Sequence, residues 1–109
     1  MVVVEVRNAE LMETVAKEAK RLNIANGAIV SLIGAVDSFT ISTMPKNDAT
    51  EDVLTDYSLP AEMTGTGEIT DGTVHIHAVM AVEGDQAVAG HLHRADIRTF
   101  FARAYVIPC

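Results

Sequence analysis

All four histidines of the chain fall between positions 75 and 93, in two His-x-His pairs, "HIH" at 75–77 and "HLH" at 91–93. Side chains alternate along a strand, so residues two apart share a face and stand about 7 Å apart at the backbone. Two imidazoles so placed can converge on one ion at the usual zinc–nitrogen distance of about 2.0–2.1 Å. The residues around the first pair support a strand. Val74, Ile76, Ala78, Met80 and Val82 give one wholly apolar face, and His75 and His77 lie on the other. A turn at Gly84-Asp85-Gln86 would return the chain beside itself, and antiparallel neighbours about 5 Å away bring His91 or His93 into reach. Three such ligands leave a fourth position for water, substrate or a carboxylate, and Glu83 and Asp96 are the nearest acids in sequence. The same four histidines also fit an ordinary structural role, as a polar cross-strand ladder or a pH-sensitive seam.

Other chemistries fit less well. A cupin strand carries His-x-His too, but here Glu83 follows His77 too late, His91 comes too soon, and no histidine lies beyond His93. "GTGEITDG" (65–72) has the glycines of a phosphate loop without the Lys-Ser/Thr, and a strand follows it instead of a helix. There is no Gly-x-Ser-x-Gly elbow. Cys109 has no evident activator for nucleophilic work. Arg94, Arg98 and Arg103 are anion-binding candidates, but they read more simply as solvated or interface charges.

The elements that must position the histidines are legible around them. "VVVEV" (2–6) reads as a short strand. Asn8 is a plausible N-cap for a helix over Glu10–Leu22, with Leu11, Val15, Ala19 and Leu22 on one face and Glu13 and Lys17 paired at i,i+4. Asn26-Gly27 ends it. "AIVSLIGAV" (28–36) reads as a buried strand with Gly34 at a bulge or close approach, and "DSFTIST" (37–43) as its neighbour. Residues 44–56 are polar and acidic and read as a loop carrying a strand or a lid. An irregular strand over 57–72 ends at Asp71-Gly72. The strands at 73–83 and from 87 onward follow, and "RTFFARAYVI" (98–107) closes the sheet. The expected class is α+β: residues 1–109 form one domain, a mainly antiparallel sheet with one principal helix packed on it.

Composition bounds the function. Of 109 residues, 49% are hydrophobic but only 5% aromatic, so the core is aliphatic and leaves apolar surface for a subunit interface. The formal net charge of −7, with eight scattered Lys and Arg, lacks the basic footprint of a domain that binds nucleic acid directly. The apolar run of "MVVVEVRNAE" is too short for a signal peptide, no stretch reaches the roughly 18 apolar residues of a membrane span, and the single cysteine fits a reducing compartment. The expected location is the cytoplasm.

The stretch "DGTVHIHAVMAVEGDQAVAGHLHRA", preceded by a helix and "GAIVSLIGAVDSFTI", resembles the plant and prokaryote conserved (PPC) domain over nearly the whole chain. In that family a Gly-x-x-His-x-His strand precedes a short hairpin and a Gly-Gly-His-Leu segment. Here the matching residues are Gly72, His75 and His77, then Ala89, Gly90, His91 and Leu92, so Ala89 departs from the first glycine. The resemblance implies a homotrimer of the prokaryotic single-domain type and a zinc site, or one for another divalent transition metal, at His75, His77 and His91. His93 lies where the family does not usually place a histidine, and stays a further candidate ligand. Prokaryotic relatives are often labelled DNA-binding by analogy with plant members, whose Arg-Gly-Arg AT-hook is absent here. "YSLPAEMTG" also departs from the plant Gly-Arg-Phe-Glu-Ile-Leu segment. The implied function is a small binding or regulatory module, with a small molecule as a further partner. The alternative is a zinc-dependent hydrolase- or lyase-like enzyme using metal-bound water, with Glu83 or Asp96 as its base.

Overall fold

A computed structural model describes all 109 residues. Nine strands and one helix follow in the order β1 Val2–Val6, β2 Ala9–Glu10, α1 Leu11–Arg21, β3 Gly27–Val36, β4 Ser38–Thr43, β5 Val53–Tyr57, β6 Ala61–Thr70, β7 Thr73–Val82, β8 Gln86–Ile97 and β9 Ala102–Pro108. All pairings are antiparallel, in the order β1-β9-β3-β6-β7-β8-β4-β5, with β2 on β8. The fold is the expected α+β arrangement of a mainly antiparallel sheet and one helix. Seven steps between eight strands at about 4.8 Å make about 34 Å. Asp37 alone joins β3 to β4, four steps apart in that order, and its N–H donates to the Asp96 carbonyl of β8, so the sheet curls back on itself instead of lying flat across that width, with β1 and β5 as its two end strands.

Alternation sorts each strand into a core face and an outer face. Ile76, Ala78 and Met80 of β7 join Leu92 of β8 and Ile69 and Met63 of β6 in the core, where Leu11, Val15 and Ala19 of α1 cover them. The opposite face carries His75, His77, Val79 and Ala81 of β7 and no helix.

The helix begins differently from the sequence expectation. Asn8 has φ 50° and turns the chain between β1 and β2, and Glu10 is the cap. The Glu10 carboxylate accepts from the backbone N–H of Met12 and Glu13, both at 2.8 Å, and from that of Ala95 on β8 at 2.9 Å. One side chain thus closes the helix N-terminus and ties it to the sheet, which a short Asn at position 8 could not do. Glu10→Ala is expected to cost about 1–2 kcal/mol, because it leaves three backbone donors, two of them part-buried, without their acceptor, and to lower Tm in thermal unfolding followed by circular dichroism.

Other boundaries shift for similar local reasons. Asn23 ends the helix in the left-handed conformation (φ 58°), three residues before the expected Asn26. Leu22 becomes the exposed C-terminal cap. The bulge in β3 lies between Ile29 and Leu32. Gly34 is instead a close approach, where a Cβ would meet the Phe101 and Ala102 backbone. Residues 61–70 form a regular ten-residue strand, and the acidic 44–56 stretch supplies the edge strand β5. Residues 98–101 are a loop, and β9 pairs between β1 and β3 instead of closing an edge. Asp71 and Gly72 both have positive φ, as a type I′ hairpin turn requires, so β6 and β7 pair without slippage.

Candidate metal centre

The hairpin registers bring the histidines together. The Glu83-Gly84-Asp85 turn, with Gly84 and Asp85 at positive φ, sets His77 directly opposite His91 across β7 and β8. His75 lies on the same face of β7, and Glu68 stands opposite it on β6. One row across the sheet therefore reads Thr66, His77, His91, Ser42, and the row beside it holds Glu68 and His75.

The three imidazoles converge. Nε2 of His75 and Nε2 of His77 are 3.1 Å apart, and one ring nitrogen from each of His75, His77 and His91 lies within 4.8 Å of the others. Two nitrogens on one tetrahedral zinc stand about 3.3 Å apart, so the closest pair already has the required spacing and the third must close by about 1.5 Å. His77 is exposed and the other two are half-buried, so this closure is a side-chain adjustment. The donor set is neutral, nitrogen-only and imidazole, which suits zinc and its first-row neighbours. The exposed Glu68 carboxylate stands 3.8 Å from His75 Nδ1, beyond hydrogen-bond distance, and a closure of under about 1 Å would let it accept from that nitrogen and leave Nε2 for an ion. His91 titrates below the ordinary imidazole value. Partial burial is the largest cause, followed by the neighbouring His93, His75 and His77, and Asp52 opposes the shift. A histidine held neutral is the form that ligates metal.

His93 does not join the trio. Arg94 pairs with Thr40 and Leu92 with Ile41, so His93 is the extra residue of a β8 bulge. The bulge turns its Nε2 to the buried Ser42 hydroxyl, 2.7 Å away. Its ring still flanks His91, with 4.7 Å between centroids.

Glu83 and Asp96 are placed elsewhere. Glu83 is exposed in the β7–β8 turn, six residues beyond His77, about 20 Å along the strand. Asp96 lies five residues beyond His91, accepts from Ser38 at 2.8 Å and pairs with Arg94 at 2.6 Å. The Ser38 hydrogen bond and Arg94 hold its carboxyl below the usual carboxylate range, which makes it a poor base. Besides Glu68, the acid that the fold brings to the histidines is Asp52. It lies in the β4–β5 connection and, with Met44, walls a groove of about 790 Å³ whose floor includes His77, His91 and Ser42. No Lys or Arg lines this groove. Sequence reasoning missed Asp52 because a loop position carries no periodic signal. Glu68 was recoverable, since an Asp71-Gly72 turn fixes residue 68 opposite residue 75.

With this geometry in view, comparison with known proteins is decisive on ancestry. The sequence profile of the Plants and Prokaryotes Conserved (PCC) domain matches residues 1–107. The chain belongs to the PCC family. This PCC-domain chain superposes on a metal-containing protein from Archaeoglobus fulgidus with a TM-score of 0.82 at 22% identity, covering 98% of this chain and 77% of that one. A protein from Ralstonia eutropha named as a candidate DNA-binding protein gives a TM-score of 0.83 at 18% identity, covering 98% and 76%. A plant- and prokaryote-conserved protein from Pyrococcus horikoshii gives 0.82 at 16%, covering 99% and 79%. At these identities the superpositions establish the shared fold. No curated protein matches the PCC-domain chain. No helix of the fold is long and apolar enough to cross a membrane.

Proposed function

We propose that this PCC-domain protein is a homotrimeric metal-binding module of the cytoplasm. In this reading His75, His77 and His91 hold zinc or another divalent transition metal, His93 stays outside the ligand set, and the groove above takes a small molecule in a binding or regulatory role. The observation that carries it is the convergence of three imidazoles from two adjacent strands on the floor of an open groove. The metal content named for the A. fulgidus relative supports it. When bound, the ion supplies a Lewis-acid centre. The chain's own residues do the rest: Glu68 is the carboxylate placed to orient His75 once the 3.8 Å gap closes, and Ser42 holds His93 aside. The uncovered sheet face supports self-association. Ile33 is 55% exposed and Val79 42% exposed, and with Thr64 between them and Ala89 beyond they form one row across four strands.

A second reading, a metal-dependent hydrolase- or lyase-like enzyme, is favoured by one observation. Asp52 shares the groove with His77 and His91 and has no hydrogen-bond partner of its own there. A free carboxylate in that position can take a proton from a ligand lying over the histidines. Direct contact with nucleic acid is not part of either reading. Some relatives carry DNA-binding names, but this chain has a net charge of −7 and a groove without cations.

Untagged protein, analysed by elemental mass spectrometry and by light scattering on the same sample, tests the proposal. About one transition-metal ion per chain, on particles of three chains, is the expected result. A chain that stays metal-free after added zinc and dialysis removes the metal reading.

A further inference from the structure

The two ends of the sheet differ in charge, and each presents uncovered apolar side chains. At the β1/β9 end, Arg7 and Arg103 sit over the Phe101 ring, with guanidinium carbons 5.0 and 4.3 Å from its centroid. Each donates its Nε to one oxygen of Glu5 at 3.0 Å, and Glu5 titrates below the usual carboxylate range because of Arg7 first and Arg103 second. One carboxylate thus answers two guanidinium groups, and the Nη groups of both arginines bond nothing within the chain. Val3 on β1 is 53% exposed beside them.

At the other end, β5 is paired only through β4, and its residues 53–56 are exposed on both faces, including Val53 and Leu54. The connection before it carries Asp48, Glu51 and Asp52 against a single Lys46. Asp48 is used locally, by Thr50, but the carboxylates of Glu51 and Asp52 have no partner in the chain. An edge strand exposed on both faces with two adjacent aliphatic residues invites pairing and calls for a cover. The Phe101 carbonyl accepts from the Ala35 N–H just before β4 begins, whereas Val53 pairs with Thr43 at the far end of β4, about 20 Å along the strand, so the net-positive, aromatic cluster and the net-negative, aliphatic one complement each other between copies and not within one.

We propose that the occupant of each end is a second copy of this chain, joined head to tail. The Arg7–Phe101–Arg103 end of one protomer seats the Glu51–Leu54 segment of the next. Two different surfaces meeting in this way form a heterologous contact, which closes into a ring when the rotation allows. This deepens the trimer reading and rests on it. It also gives the trimer a consequence for the site. Asp52 belongs to the segment that docks, so assembly fixes the acidic wall of the histidine groove.

Charge reversal tests the pairing, with light scattering and sedimentation as readouts and circular dichroism as the check on folding. The R7E/R103E and E51R/D52R chains are each expected to weaken the trimer by roughly tenfold or more, since like charges then face one another. One chain carrying all four changes is expected to assemble again. Reversals that leave the trimer intact, or a fourfold variant that stays dissociated, overturn the head-to-tail pairing while the trimer reading stands. A monomeric wild-type protein overturns both, and assigns the two ends to some other partner. If the reversals fail to fold, the wild type itself decides. Raising salt from about 0.1 M to about 1 M shortens the screening length from about 10 Å to about 3 Å and must weaken the trimer. Assembly that does not weaken with salt overturns the pairing.

Discussion

His77→Ala is expected to leave the protein folded and without metal. His77 is exposed, opposite His91 and 3.1 Å from the nitrogen of His75, so it touches the other two donors and little of the core. Surface substitutions of this kind usually fall within about 0.5 kcal/mol in stability. Loss of a direct ligand must exceed the roughly 10–100-fold in affinity that loss of an outer partner costs. His75→Ala and His91→Ala should behave alike. Glu68→Gln, which keeps the shape and removes the charge behind His75, should weaken binding by about tenfold. His93→Ala should leave the metal content near the wild-type value, because that ring is committed to Ser42. The measurement is zinc affinity by competition with a chromophoric chelator, with far-ultraviolet circular dichroism on each variant. Zinc retained by His77→Ala, or lost from His93→Ala while His91→Ala keeps it, would sink this ligand assignment.

The distinction between His91 and His93 shows how far the sequence could be read. The apolar even positions of residues 74–82 declare a strand and put His75 and His77 together on its other face, and the structure agrees. The partner on the next strand depends on where the turn is centred. A turn at 84–86 sets His77 opposite residue 93, whereas the observed turn at 83–85 sets it opposite residue 91. One residue of register thus decides the donor, and only the family resemblance favoured His91 in advance. The bulge that carries His93 toward Ser42 has no sequence signal, because it arises where β8 changes register against β4. Asp52 was hidden for a related reason. Its position depends on how β5 returns beside β4, a tertiary pairing that local composition does not encode. The helix was clear from its apolar face, but its cap was not. Glu10 does the work of the expected Asn8 because it is the residue immediately before the helix, and its longer side chain also reaches the Ala95 N–H on β8.

Gly67→Ala is expected to cost about 3 kcal/mol and to weaken metal binding without touching a ligand. Gly67 lies on β6 directly opposite Ile76, the residue between His75 and His77. A Cβ at position 67 would run into the carbonyl oxygen of His75, and would sit 2.9 Å from Cγ1 and 3.0 Å from Cα of Ile76. Two of those three atoms belong to the backbone of the histidine strand, so no rotamer change relieves the overlap. Ile76 is fully buried, which blocks retreat into the core. The remaining relaxation is for β7 to move away from β6, and that motion carries His75 away from Glu68 and shifts both histidines relative to His91. Against a total stability of about 5–15 kcal/mol for a domain of this kind, the chain should still fold at room temperature. Thermal unfolding of the metal-free protein reads the first effect, and zinc affinity at a temperature well below Tm reads the second. A variant with a lowered Tm and undiminished zinc affinity would mean that the backbone spacing between β6 and β7 does not set the histidine geometry. The glycines of "GTGEITDG" form no phosphate loop. At Gly67 the missing side chain lets the histidine strand lie close enough for His75 to meet Glu68.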